Sequence, residues 1–404
     1  MSSDLIPAAT PAEPAPSRWG PFGHAAFTVI WTGSIVLNLG TATFDTASAW
    51  LMTSLNADPM AVSLVQVASS LPIFLFTLPA GALADIIDAR RFLIAVEIGI
   101  VIVSAIFALL VSSGLATPAA LLATTFLLSA GLSVTAPAWL SITPLLVPRG
   151  DLDSAVAFNS VGYNVSRAVG STLGGLIIAA FGIAAPFWIN CASIPVIIAA
   201  LLWWRPPRKS TQSLPAERLT SAVRSGIRYA ANSQHLRATL VRAAAFFPFA
   251  SAYWALLPLV ARSQMVQGPE LYGILLGAIG AGAIGGSLIL NWLKARLGSD
   301  RVVALGTLVT ALALVLFGLA RYPVIAICAS LLAGGSWTVV LASLYVSAQV
   351  ALPDWVRARG LAILLTVVFG AMTVGSAVWG HIAGLEGLSI AHFAAAAGAV
   401  LAIP

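Results

Sequence analysis

Charge is what this chain has least of. Only 8% of its 404 residues are Asp, Glu, Lys or Arg, against roughly 25% in an ordinary soluble domain, which excludes a normal water-facing surface. Cysteine is almost as scarce: Cys191 and Cys328 lie in separate apolar stretches and read as buried packing residues, not as a disulfide or metal pair. The sequence contains no G-x-x-x-x-G-K-[ST] loop, no H-E-x-x-H, no nucleophile elbow and no paired membrane aspartates. These absences argue against ATP as an energy source and against an intramembrane enzyme, and no cofactor or metal is expected. Residues 1–24 hold five prolines among Ala and Ser without an apolar h-region, so they read as a disordered cytoplasmic leader and not a cleaved signal.

What fills the space is apolar sequence, 59% of the chain. Stretches of about 20 residues, each able to cross a hydrocarbon core of about 30 Å, recur along it. Their spacing predicts twelve helices, at 25–55, 59–84, 92–113, 118–147, 155–181 and 185–204, then 238–261, 271–293, 302–320, 323–351, 360–383 and 388–404. The fold class is an all-α membrane protein with a six-helix bundle over 25–204 and a second over 238–404. Between them, 205–237 is the one long polar segment. Leu219, Val223, Ile227 and Ala230 recur there at helical spacing, predicting an amphipathic linker helix on the membrane surface.

The net charge of +6 records topology and does not call for nucleic acid. With the N-terminus cytoplasmic, sixteen of the twenty Lys and Arg fall in cytoplasmic segments and only Arg262 and Arg321 in external ones, a positive-inside bias that puts both termini inside. The two halves also echo each other at an offset of 205 residues: Pro148, Gly170, Ser171 and Gly175 align with Pro353, Gly375, Ser376 and Gly380, and Gly81 and Arg91 with Gly286 and Arg296. Duplicated bundles that face each other are the usual way to build a site opening alternately to either side.

Two segments bring a family into view. GALADIIDARR, Gly81 to Arg91, resembles the G-x-L-A-D-R-x-G-R-R loop of the major facilitator superfamily; Ile86 and Asp88 stand where Arg and Gly are usual. GSTLGG, Gly170 to Gly175, resembles the G-P-x-x-G-G signature of its exporters, with Ser171 in place of Pro. With NLGTATFDTASAWLMTSL and ALPDWVRARG, these make residues 25–404 similar to the enterobactin-exporter-like, or transmembrane secretion effector, branch.

That resemblance implies twelve transmembrane helices in two pseudo-symmetric bundles, a bacterial inner membrane location, and proton-driven efflux of a small organic compound such as a siderophore, drug or secondary metabolite. It also makes Gly81, Asp85, Arg90 and Arg91 a gating motif. Asp85 would latch the start of helix 11 near Gly360, where a carboxylate meets the positive end of a helix dipole. Arg90 and Arg91 would anchor the loop to acidic groups or lipid phosphates. Gly170, Ser171, Gly174 and Gly175 form the exporter-like motif of helix 5, a smooth face for helix 8.

Charges inside the bilayer are costly unless paired or hydrated. Asp45 lies about 30 Å along helix 1, in its outer half, and Arg167 about 18 Å into helix 5, near the midplane. Asp45 is the first candidate for taking up a proton, and Arg167 is one possible counter-charge, so the two are the proposed proton-coupling pair. Glu97, early in helix 3, is expected to face the inner boundary and pair with Arg90 or Arg91. His381 and His392 read as hydrogen-bonded helix residues.

The family's cavity is lined by helices 1, 4, 7 and 10, which here offer Asn38, Trp139, Phe247, Tyr253, Trp254, Trp337, Tyr345 and Gln349. Aromatic walls with few polar groups suit a bulky amphiphile. The leading reading is a monomeric proton antiporter in the lipid bilayer. An importer or lipid flippase of the same fold, or a non-transporting membrane sensor, stays open.

Overall fold

The computed structural model describes residues 19–86, 88–205, 228 and 232–403, without the side chains of 81–86, 354, 355 and 358. The leader to residue 18 and nearly all of the expected amphipathic linker helix lie outside the described residues. The chain is helical throughout, with no strand among the described residues. The first six helices are α1 (Ala25–Leu55), α2 (Pro59–Ile86), α3 (Ala89–Ser112), α4 (Pro118–Leu146), α5 (Leu152–Phe181) and α6 (Ala185–Trp203). Helix α7 (Gln234–Leu259) runs into a π-helical turn, Val260–Gln264.

The next helical run, Pro269–Leu319, is 51 residues long, about 76 Å at 1.5 Å per residue, more than two membrane thicknesses. Gly298 breaks it at φ 77°, ψ 161°, a conformation that glycine adopts without strain. The limbs before and after Gly298 are α8 and α9. Helices α10 (Pro323–Ala351), α11 (Asp354–Glu386) and α12 (Leu388–Leu401) complete the chain. Among the described residues ten helical runs are long and apolar enough to span a membrane. Counting the broken run twice and adding α12, 14 residues long, gives twelve crossings.

Local chemistry sets the ends. Proline occupies the first turn of α4, α6 and α10, where its missing N–H costs nothing. The side chains of Asp88, Thr117 and Ser233 cap α3, α4 and α7 by accepting a backbone N–H of the first turn, the bond that such caps supply. Gly182 (φ 86°) and Gly387 (φ 91°) turn the chain out of α5 and α11. Helix α11 begins at Asp354, six residues before the expected Gly360, because polar residues after Pro353 continue the helix beyond its apolar stretch.

An even number of crossings puts both ends of the described chain, the end of α6 and the start of α7 at one face, called here the linker face. The loops after α1, α3, α5, α7, α9 and α11 lie at the opposite face.

The sequence echo is a structural one. A Cβ on Gly170 of α5 would meet Leu39 O and Ala42 on α1; a Cβ on Gly375 of α11 would meet Pro248 O and Ser251 on α7. Gly175 of α5 sits against Pro269 O and Gly273 of α8, and Gly380 of α11 against Pro59 O and Ser63 of α2. Equivalent glycines thus make equivalent crossings, with the same three- and four-residue spacing in each partner. The pairs α5·α8 and α2·α11 join the halves, and Ser70 Oγ and Thr373 Oγ1 share a hydrogen bond of 2.8 Å across the second. Small residues let these backbones approach closely.

Candidate functional site

The glycine contacts fix which way α1 and α5 face. On α5, Gly162, Gly170 and Gly174 meet α1, while Ala168, Thr172 and Gly175 meet α8. At 100° per residue two arcs remain. One carries Val165, Val169, Leu173 and Leu176, all exposed, and suits lipid. The other, in the corner between α1 and α8, carries Ser160, Asn164, Arg167 and Ser171 at a spacing of four, three and four.

Helix α1 shows the same pattern. Gly33 and Gly40 pack on α6, Ala42 and Thr46 on α5, and the free arc carries Ser34, Asn38, Thr41 and Asp45. Two polar stripes therefore line an interior seam. Asp45 is exposed there although Phe44 and Thr46 beside it are buried.

Arg167 is exposed to the same seam. Its Nη1 donates to the Tyr163 hydroxyl at 3.1 Å, and the guanidinium lies 5.9 Å from that ring's centre. Asp45 and Arg167 feel each other's charge without closing to an ion pair. Tyr272 of α8 stacks on Trp50, five residues beyond Asp45 on α1, so residues of both halves meet near it. Asn159 points instead to Thr143 of α4, its amide donating to the hydroxyl at 3.4 Å.

At the opposite face the seam ends in a clamp that sequence reasoning missed. Arg262, carried on the π turn after α7, lies 5.4 Å over the Trp50 ring of α1. It donates to Thr53 Oγ1 at 2.8 Å and to Ser54 Oγ. Trp50 in turn stacks on Tyr272 at 6.0 Å and 23°. Gln264 Nε2 ties the turn to α9 through Phe317 O (2.9 Å) and Ala320 O (2.6 Å). Val266, just beyond, holds φ 54°, a strained value for a β-branched residue. The one available signal was charge: Arg262 is one of two basic residues against the positive-inside pattern. Helices α1 and α2 pack against α7, whereas α4 makes no such packing with α10 or α11 among the described residues.

Several expected roles change. Phe247 and Tyr253 are fully buried and line no cavity: Phe247 meets Trp337 edge-on at 5.0 Å, and Tyr253 stacks on Phe317 at 6.2 Å. Trp139 packs on the apolar cluster of Phe27, Ile30 and Leu146 at the linker end. Asn38, Trp254, Trp337, Tyr345 and Gln349 are half-buried, and Trp254 Nε1 has no hydrogen-bond partner among the described residues.

Gly170 and Gly174, four apart, face α1 and not α8; of the motif's glycines Gly175 alone reaches α8, and Ser171 O accepts from Thr46 Oγ1 at 3.4 Å. Arg90 caps α6 and has no ion pair among the described residues, donating from Nε to Leu201 O (2.6 Å) and from Nη2 to Leu202 O (2.8 Å). The terminal carbonyls of a helix are natural acceptors for such a cation. Arg91 receives the Asp88 cap on its backbone N–H.

Of Gly81 and Asp85 the structure describes the backbone alone. Glu97 is buried without an ion pair among the described residues, because Arg90 has turned to α6. His392 is buried, its Nδ1 2.7 Å from Leu388 O. Cys328 is exposed and Cys191 half-buried, against the expectation of two buried thiols.

Twelve crossings, two halves related by their glycine crossings and a polar seam between them define a transporter of the major facilitator type. A family model described as the transmembrane secretion effector matches residues 16–403, and the chain belongs to that family. It is 23% identical over 290 residues to a staphyloferrin A transporter of Staphylococcus aureus, a match covering 70% of this chain and 68% of that protein. It is 26% identical over 236 residues to the uncharacterized MFS-type transporter YfiS of Bacillus subtilis, where the match covers 57% of this chain but only 55% of the relative's length. Among solved structures, the nucleoside transporter NupG superposes with a TM-score of 0.74 at 12% identity, covering 94% of this chain and 97% of that one. A bacterial homologue of the human lysosomal transporter Spinster, inward-facing and unoccupied, gives 0.68 at 16%, covering 94% and 93%. At such identities these two likenesses speak for the fold alone.

Proposed function

We propose that this protein is a proton-driven exporter that moves a small amphiphilic organic compound out of a bacterial cell by alternating access. The observation that carries the reading is the seam with Asp45 and Arg167 in its walls and Arg262 clamping one end. Opposite charges held apart in a low-dielectric interior are costly, and they are useful where a proton and a cargo must sense each other. Proton uptake by Asp45 removes one charge from the seam and leaves Arg167 unbalanced, so any ligand held by both groups is loosened. That is competition, the requirement for antiport.

On this reading the linker face and both termini are cytoplasmic, the bundles are 25–204 and 238–404, and the protein works as a monomer in the inner membrane. The conformation described faces inward, its external end shut by the clamp. The helix 5 motif and the named substrate of the staphylococcal relative support export of a metabolite of that general kind. The Asp85 latch would hold the cytoplasmic end shut in the other half of the cycle.

The test is proton flux in proteoliposomes with a panel of siderophores, macrolides and other amphiphiles, comparing the wild type with Asp45→Asn. Compound-dependent flux is expected in the first and not in the second. Equal flux in both would remove Asp45 from the coupling.

A further inference from the structure

The walls of the seam say something about the charge of the cargo. Arg167 uses one of its five N–H donors on the Tyr163 hydroxyl and has no ion pair among the described residues. The remaining edge of a planar guanidinium fits a carboxylate by two parallel hydrogen bonds. Asp45 accepts no hydrogen bond and has no ion pair among the described residues, and it is exposed on the same seam. Each charge is in the other's field. A ligand that is only a cation would be drawn by Asp45 and repelled by Arg167, and an anion would meet the reverse, so attraction and repulsion largely cancel. A ligand carrying both charges, correctly oriented, gains both attractions and leaves neither wall charge unpaired. Selection against singly charged compounds is thus built into the pair.

We propose that the seam binds zwitterions: the cargo presents a cationic nitrogen to Asp45 and a carboxylate or similar anion to Arg167, with Tyr163 fixing the guanidinium plane. This rests on the reading of the seam as the transport site and adds the substrate's charge pattern to it.

The probes are three forms of one skeleton: the dipeptide diphenylalanine (zwitterion), its N-acetyl derivative (anion) and its C-terminal amide (cation). Equilibrium binding to the purified full-length protein is read by tryptophan fluorescence, and transport of the same three compounds is read separately in proteoliposomes. The zwitterion should bind at least about tenfold more tightly than either singly charged form, the worth of one charge-assisted hydrogen bond. Asp45→Asn should abolish its advantage over the anion, and Arg167→Gln its advantage over the cation.

A singly charged form binding as well as the zwitterion would overturn the proposal. So would a preference that survives in the double variant, or no binding of the zwitterion at all. If a variant fails to fold, the wild-type ranking decides by itself. Selective binding without flux would sink the exporter reading and leave the zwitterion site standing; flux without selectivity would do the opposite.

Discussion

Removing the Arg262 side chain should open the face that it clamps. Arg262→Ala deletes a cation–π contact with Trp50 and two hydrogen bonds from a charged donor to Thr53 and Ser54. A half-exposed cation–π pair contributes about 0.5–2 kcal/mol. Hydrogen bonds to a charged group contribute about 1.5–3 kcal/mol each where buried, and less at this half-exposed site. A net loss of about 2–4 kcal/mol would change the closed-to-open ratio about 30- to 1000-fold.

Spin labels on cysteines at Asn56 and Gly268, which lie in loops of the two halves at this face, would read the change as a distance distribution. Cys191 and Cys328 would first be replaced by serine. The wild type should give one short distance, and Arg262→Ala a major longer one. Arg262→Lys, which keeps the charge but loses the planar stacking surface and the fork of donors, should fall between. An unchanged distribution in the alanine variant would refute the clamp, since the other described charged group against the opposite half at this face, Asp58 beside Gly384 of α11, makes no hydrogen bond to that half.

Three further outcomes follow from contacts in the structure. A Cβ on Gly334 would come within 1.8 Å of the Ile279 carbonyl oxygen, whereas one on Gly131 would meet the flexible end of Ile100 at 2.5 Å. Gly334→Ala should therefore cost at least about 1–3 kcal/mol and Gly131→Ala less than about 1 kcal/mol, checked by thermal unfolding in detergent. Arg90→Gln should free the last carbonyls of α6, at a cost of about 1–2 kcal/mol, and speed proteolysis in the segment after Trp204. Trp31→Phe leaves Phe158 O without its 3.1 Å indole donor and should cost about 1 kcal/mol, seen as a lower midpoint in the same unfolding assay.

Much of the fold is legible because proline and glycine punctuate it. Pro59, Pro118, Phe181, Ala185, Pro323 and Ala351 end their helices where the sequence predicts, since a proline or a left-handed glycine stands at or within two residues of each one, and Ala25 and Leu55 do so where the apolar stretch itself ends. The joined run Pro269–Leu319 is less legible: polar residues between two apolar stretches look like a loop, yet a helix continues through them until a single glycine changes its path. The duplication is readable as an offset of 205 because the glycines that carry it stand at close crossings between helices.

The site is legible only in part. Asp45 and Arg167 stand out as charges in apolar sequence, and the cost of burying them is a property of the residue alone. Which way Gly170 or Tyr253 faces is not such a property. It depends on which helix lies alongside, and one residue of error turns a side chain through 100°. Arg262 lay in a segment whose π turn has no signature in composition, so its reach across to Trp50 could not be read from spacing.

The glycine crossings have a consequence for the speed of the cycle. Along α5 and α8, and at Gly380 where α11 crosses Pro59 and Ser63 of α2, backbone touches backbone or a short side chain; the one ring in these two interfaces that covers a glycine is Phe74 of α2, over Gly370 of α11. Such a surface works like a bearing: the halves can rock over it without first withdrawing interlocked teeth. The resistance to turnover then sits at the rim, in the few contacts that must be broken at one end before the other can form. Changes along the bearing should scale the rate of rocking in both directions together, while changes at the rim should decide which way the protein rests.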